Sequence, residues 1–204
     1  MQSILRLCFI LLLFIPVQAR TLLIVGDSIS AAFGMQPEEG YVAQLHNRLT
    51  EEGYDYTVIN ASISGDTTSN GLSRLPHLLS THQPDITVIE LGGNDGLRAT
   101  PPKQIAENLT QMVRMAKDAG SDVVLVGIQL PPNYGQAYLK RFLAIYHNIA
   151  AAENIALFPS IVAEAGGNPE LMQNDGIHPN AKAQPLLMQA LYEVLLPLLK
   201  KDAP

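Results

Sequence analysis

Cysteine is all but missing from this sequence: Cys8 stands alone among 204 residues. Set that one thiol aside and disulfides, thiolate metal sites and a cysteine nucleophile are excluded. Concentrated positive charge is missing too. Thirteen Lys and Arg face nineteen Asp and Glu, for a net charge of −6, and the basic residues are scattered. That leaves no electrostatic footprint for nucleic acid. There is no internal repeat, no low-complexity tract and no linker, so the length fits one well-buried domain.

Long apolar runs are also absent, except at the start. In "MQSILRLCFILLLFIPVQAR", Arg6 supplies a positive charge, Leu7 to Val17 an apolar core of eleven residues, and Val17-Gln18-Ala19 a small-residue cleavage pattern. A membrane span needs about 20 apolar residues. Residues 1–19 therefore read as a secretory signal peptide cut after Ala19, with 20–204 as the mature domain. A retained N-terminal anchor is the competing reading. Cleavage removes Arg6 and Cys8, leaving 12 basic residues (13 − 1) against 19 acidic, a net charge of −7. The expectation is a thiol-free domain, periplasmic or secreted, with no stable membrane insertion after cleavage.

What is present is a series of short apolar runs: "TLLIVG" (21–26), "YTVINA" (56–61), "ITVIEL" (86–91), "DVVLVGI" (122–128) and "IALFP" (155–159). They are continuous and β-branched, as in strands buried on both faces of a parallel sheet. Between them, residues 102–119 and 136–152 carry apolar side chains at helical spacing, with Gly120 as a C-cap for the first. A helix from Tyr41 stops at Gly53, and a last one lies between Asn180 and Lys200, where Pro185 suits a first turn. Repeated strand–helix alternation predicts an α/β fold, a three-layer α/β/α sandwich with right-handed crossovers.

In such sheets ligands bind beyond the carboxyl ends of the strands. The loops there are polar and glycine-rich: Gly26-Asp27-Ser28, then "SISGDTTSNG", then "GGNDG", and finally "QNDGIHPN" with Asp175 and His178. Ser28 follows a buried strand and can present its hydroxyl at the sheet edge, or it can cap the segment beginning at Ile29. As a nucleophile it needs a base. His178 is the candidate, with Asp175 three residues away to fix its tautomer; the alternative for "DGIHP" is a plain turn. The backbone N–H groups of Ser28 and Gly65 and the Asn94 carboxamide are candidate oxyanion donors, although glycine–asparagine turns are often only turns. The other histidines, His46, His77, His82 and His147, lack any ligand constellation, and no metal site is expected.

"GDS" at 26–28, Gly65, "GGND" at 92–95 and "DGIHP" at 175–179 resemble the four sequence blocks of the SGNH (GDSL) hydrolase family, in order and across nearly all of the mature chain. The resemblance implies a flavodoxin-like five-stranded parallel sheet of order 2-1-3-4-5. It also implies Ser28 as nucleophile, His178 as base, Asp175 as its orienting partner, and Ser28, Gly65 and Asn94 as the oxyanion hole. No cofactor is implied. The activity implied is that of a serine esterase on small-molecule acyl esters and thioesters: acyl-CoA thioesterase, lysophospholipase and arylesterase chemistry. A monomer is expected. Gly96, Leu97 and Arg98 after the third strand, and Pro131, Asn133 and Tyr134 after the fourth, are expected to wall the acyl site, unless they are ordinary surface loops. "SISAAFGM" lies outside the blocks, and Ala32 and Phe33 bear on acyl-chain preference if they line the pocket. Two rivals remain: a carbohydrate O-acetyl esterase and a binding protein with a dead triad.

Overall fold

The structure, a computed structural model, describes residues 19–163 and 165–201. The expected signal segment lies, but for Ala19, outside the described residues, and Cys8 with it.

Five strands form one parallel sheet: β1 Arg20–Gly26, β2 Tyr56–Asn60, β3 Ile86–Glu90, β4 Asp122–Val126 and β5 Ala156–Phe158. Their order is β2-β1-β3-β4-β5, the expected 2-1-3-4-5 arrangement. Register runs Ile24 opposite Asn60 on one side and Val88 on the other, so β1 is an interior strand and its carboxyl end opens between β2 and β3. Each strand ends near or one to two residues before its apolar run does. The next residues bend out to make loop contacts instead, as where Leu91 O accepts the Tyr146 hydroxyl at 3.0 Å.

Helices cover both faces. Helix α1 (Tyr41–Glu51) packs against α6 (Gln184–Leu195) on one side; α2 (Thr68–His82) packs on α4 (Pro102–Asp118), and α4 on α5 (Gln136–Glu153), on the other. A five-residue helix, α3 (Gly93–Leu97), follows β3 directly, where a loop was expected. Gly120 ends α4 as foreseen: at φ +86° its N–H reaches Lys117 O while Ser121 N–H reaches Ala116 O, a Schellman closure. Pro185 lies in the first turn of α6.

Helix α2 has no counterpart in the sequence reading. Gly71 and Pro76 interrupt its helical propensity. Its entry signal was nevertheless there: Thr67 and Asn70 form a reciprocal capping box, each side chain accepting the other's backbone N–H. Gly71 lets α2 sit close to the sheet, for a Cβ there would lie 2.2 Å from Leu91 Cδ1.

Candidate active site

The site begins where β1 ends. A Cβ on Gly26 would lie 2.5 Å from Ser30 Oγ and 2.7 Å from Glu90 Oε2, so only glycine fits. Beyond it the chain curls: Asp27 O accepts the Ala31 N–H at 3.0 Å, and Asp27 Oδ1 accepts the Ile29 N–H at 3.1 Å. Asp27 thus caps the turn, not Ser28, and the Ser28 hydroxyl is left for another partner.

That partner is His178. Its Nε2 lies 2.8 Å from Ser28 Oγ, and its Nδ1 lies 2.7 Å from Asp175 Oδ2. The Asp175 carboxylate is anchored by its own loop, with Oδ1 accepting the N–H groups of Ile177 at 2.9 Å and His178 at 3.0 Å. Burial pushes Asp175 up, but the His178 and Ile177 hydrogen bonds outweigh it and hold the acid at about 2. An ionised Asp175 accepts a hydrogen bond from Nδ1–H, a tautomer that leaves Nε2 as the acceptor facing the serine.

The expected oxyanion donors meet at the same edge. Gly65 occupies the third position of the turn Ile63–Asp66 at φ +86°, a conformation that favours glycine. Neither its N–H nor that of Ser28 donates to another group among the described residues. Asn94, in the first turn of α3, points its Nδ2 at Asp27 Oδ2 (3.1 Å) and Asp66 O (3.0 Å). Both are acceptors, so the amide nitrogen, not the oxygen, is fixed on that side.

Sequence reasoning missed the acids beneath the nucleophile. Glu90 is fully buried in β3; its Oε2 accepts the Asp27 N–H at 3.2 Å and the Ser30 hydroxyl at 2.6 Å, while Ser30 also meets Tyr41 OH at 2.6 Å. Glu90 Oε1 has no hydrogen-bond partner among the described residues. Burial, and then the charge of Asp27, push Glu90 well above the usual carboxylate range, which favours its neutral form. Asp27, 2% exposed, is raised to about 6, burial being only partly offset by the Ile29 N–H, the His178 charge and the Asn94 amide. The one available signal was an acid inside the apolar run "ITVIEL".

Two further polar clusters fix the loops. Arg74 on α2 pairs with Asp66 at 2.8 Å and donates to Ala61 O, holding the Gly65 turn. Asp95 accepts the Thr68 N–H and hydroxyl, each at 2.8 Å, tying α3 to the start of α2.

The expected walls lie together. The Tyr134 hydroxyl donates to Leu97 O at 2.8 Å, and Arg98 Nη2 lies 3.5 Å from Gly65 O. Pro131 is half-buried and Asn133 exposed. Gly96 has a packing role: it is buried, and a Cβ there would lie 2.6 Å from the Leu130 methyls. His46, His77 and His147 are exposed and His82 half-buried.

A parallel α/β sandwich carrying a hydrogen-bonded Ser–His–Asp set at its carboxyl edge defines the class of serine hydrolases. The comparisons with known proteins place the chain within it. Residues 24–185 match the GDSL-like lipase/acylhydrolase family, and the chain belongs to that family, the one its sequence blocks resemble. Esterase TesA of Pseudomonas aeruginosa is 53% identical over 181 residues, 89% of this chain and 90% of that one. Thioesterase 1/protease 1/lysophospholipase L1 of Escherichia coli is 42% identical over 197 residues, 97% of this chain and 93% of that one. A crystal structure of TesA, 53% identical, superposes with a TM-score of 0.87 over 88% of this chain and 100% of that one. This protein is an ester-cleaving hydrolase of the serine esterase type.

Proposed function

We propose that Ser28, His178 and Asp175 carry out two-step acyl transfer on small-molecule esters and thioesters, lysophospholipids among them. Ser28 Oγ attacks the carbonyl carbon as His178 Nε2 takes its proton. The anion forms against the Ser28 and Gly65 N–H groups and the Asn94 amide, which turns one of its two N–H groups to it from Asp27 Oδ2 or Asp66 O. It collapses to an acyl-enzyme as His178 returns the proton to the departing alcohol or thiol. Water, deprotonated by the same nitrogen, then releases the acid and frees Ser28.

The observation that carries this reading is the continuous line from Asp175 Oδ2 through His178 to Ser28 Oγ, at 2.7 and 2.8 Å. Thioester and lysophospholipid substrates rest on the name of the Escherichia coli relative. A carbohydrate O-acetyl esterase is not favoured, given a relative named thioesterase and lysophospholipase. Hydrolysis of nitrophenyl esters and acyl-CoAs over a range of chain lengths, with Ser28→Ala as the control, tests the proposal. Loss of turnover by a factor of about 10³ or more is expected in the variant; unchanged turnover would overturn the serine mechanism.

The enzyme works after export, as a monomer in the periplasm or outside the cell. The supporting observations are the leader-like residues 1–19 and β1 beginning at Arg20, one residue past the expected cut. A mature N-terminus other than Arg20 would revise the cut.

A further inference from the structure

Seven large apolar side chains are exposed among the described residues, and three of them, Phe33, Ile63 and Ile177, lie in the loops that carry Ser28, Gly65 and His178. Phe33 is the most telling. It is 47% exposed, yet its ring centroid lies 4.7 Å from that of His178, tilted by 40°. Its backbone is held at both ends: the N–H donates to Ser28 O at 3.0 Å, and Gln173 Nε2 donates to its carbonyl at 2.7 Å. The residue before it, Ala32, is in the left-handed region at φ +57°, unfavourable for alanine. A strained, doubly tethered turn therefore keeps an apolar ring in water, directly against the catalytic imidazole. An apolar ring fixed against the catalytic base is placed to meet the substrate.

The chemistry decides what the ring contacts. Four groups surround the carbon of the tetrahedral intermediate: Ser28 Oγ, the oxyanion, the acyl chain and the leaving heteroatom. The oxyanion faces Gly65 and Asn94. The leaving oxygen or sulfur must receive its proton from His178 Nε2, so it lies on the imidazole side. The acyl chain takes the remaining direction. Side chains packed on His178, Phe33 among them, thus flank the leaving group.

We propose that Phe33 forms an apolar subsite for the leaving group, selecting esters whose alcohol or thiol carries an aromatic or alkyl body. This inference rests on the mechanism given above and moves Phe33 from the acyl side, where it first bore on chain preference, to the leaving-group side.

The test compares benzyl and 2-methoxyethyl esters of one acid, whose alcohols are of similar acidity, in the full-length enzyme and in Phe33→Ala and Phe33→Leu. The native enzyme is expected to favour the benzyl ester in kcat/KM by about tenfold, Phe33→Ala to bring that ratio to within about twofold of unity, and Phe33→Leu to fall between. A native ratio near unity, or one unchanged in Phe33→Ala, would overturn the proposal, the second outcome pointing to mere shielding of His178. It is equally overturned if Phe33→Ala changes the acid chain-length profile at a fixed alcohol, or weakens binding to phosphatidylcholine vesicles, while the ratio holds. Failure of the mechanism itself reads differently, as turnover of both esters by Ser28→Ala.

Discussion

The backbone N–H of Asp27 donates to the Glu90 carboxyl at 3.2 Å, so two buried acids stand one behind the other beneath Ser28. Their proximity forces a division of labour. Glu90, with one oxygen unpartnered, is the cheaper of the two to keep neutral. Asp27 accepts at both oxygens, from Ile29 and Asn94, and is the one suited to carry charge.

A neutral Glu90 has a simple consequence. Glu90→Gln keeps the shape and retains a carbonyl oxygen for the Asp27 N–H and the Ser30 hydroxyl, so its stability should lie within about 1 kcal/mol of the native protein. Glu90→Ala strands both donors in a cavity and should destabilise by about 2–4 kcal/mol. Denaturant unfolding of the two variants near pH 7 checks this. Equal and large losses would mean that Glu90 is ionised.

Asp27 should leave a mark on stability against pH. Its value is raised from 3.8 to about 6, so the folded protein binds this proton more tightly than the unfolded chain. Stability from this group is then highest below about pH 4 and falls as pH rises through about 6, by about 3 kcal/mol. Asp175 acts in the opposite sense and lower down. Held at about 2, it contributes stability above about pH 4 that is lost as pH falls toward 2, and being partly exposed it contributes no more than about 1 kcal/mol. Unfolding midpoints between pH 4 and pH 7 should slope downward in the native enzyme and less steeply in Asp27→Asn, where the slope from buried Glu90 remains. An identical slope in both would reassign the titration.

The strands were legible because both faces of a parallel sheet demand unbroken apolar runs, and Ser28, Asp175 and His178 because strand ends collect chemistry. Pairing within one short loop made the Asp175–His178 contact visible without the fold. Helix α2 was hidden by Gly71 and Pro76, whose roles are set by what packs on them. Glu90 and Asp27 were hidden for a different reason: they lie 63 positions apart and become partners only when β1 and β3 pair with Gly26 opposite Glu90. Phe33 was noticed, but which side of the substrate it faces depends on the direction of proton transfer.

Asp175→Asn should separate orientation from charge. The amide oxygen can still accept the Ile177 and His178 N–H groups, so the loop should keep its shape. Its NH₂ group, however, would face Nδ1 and favour the tautomer that places the proton on Nε2, where Ser28 needs an acceptor. A fall in kcat by a factor of about 10²–10⁴ is expected, with KM changed little and the unfolding midpoint near native. Steady-state kinetics on a nitrophenyl ester gives the answer. A loss below threefold would show that the backbone alone orients His178.

The oxyanion donors differ in how they can be removed, and that difference can be measured. Asn94→Ala deletes one donor and also leaves Asp27 Oδ2 and Asp66 O without the amide they share. It should lower kcat by about 10²–10³ through the lost donor and also lower the unfolding midpoint, since two buried acceptors go unsatisfied. Gly65→Ala deletes no donor. A Cβ there meets no atom within 4 Å, so sterics play no part, and only the φ of +86° resists the change. The strain is about 1–2 kcal/mol, and the turn can relieve it by rotating the Gly65 N–H away from the carbonyl oxygen. Gly65→Ala should therefore lower kcat while the Asp66–Arg74 pair holds α2 in place and the unfolding midpoint shifts only slightly. A Gly65→Ala enzyme with native kcat would mean that the turn keeps its φ and its N–H in place, and the strain would then appear as a lowered unfolding midpoint.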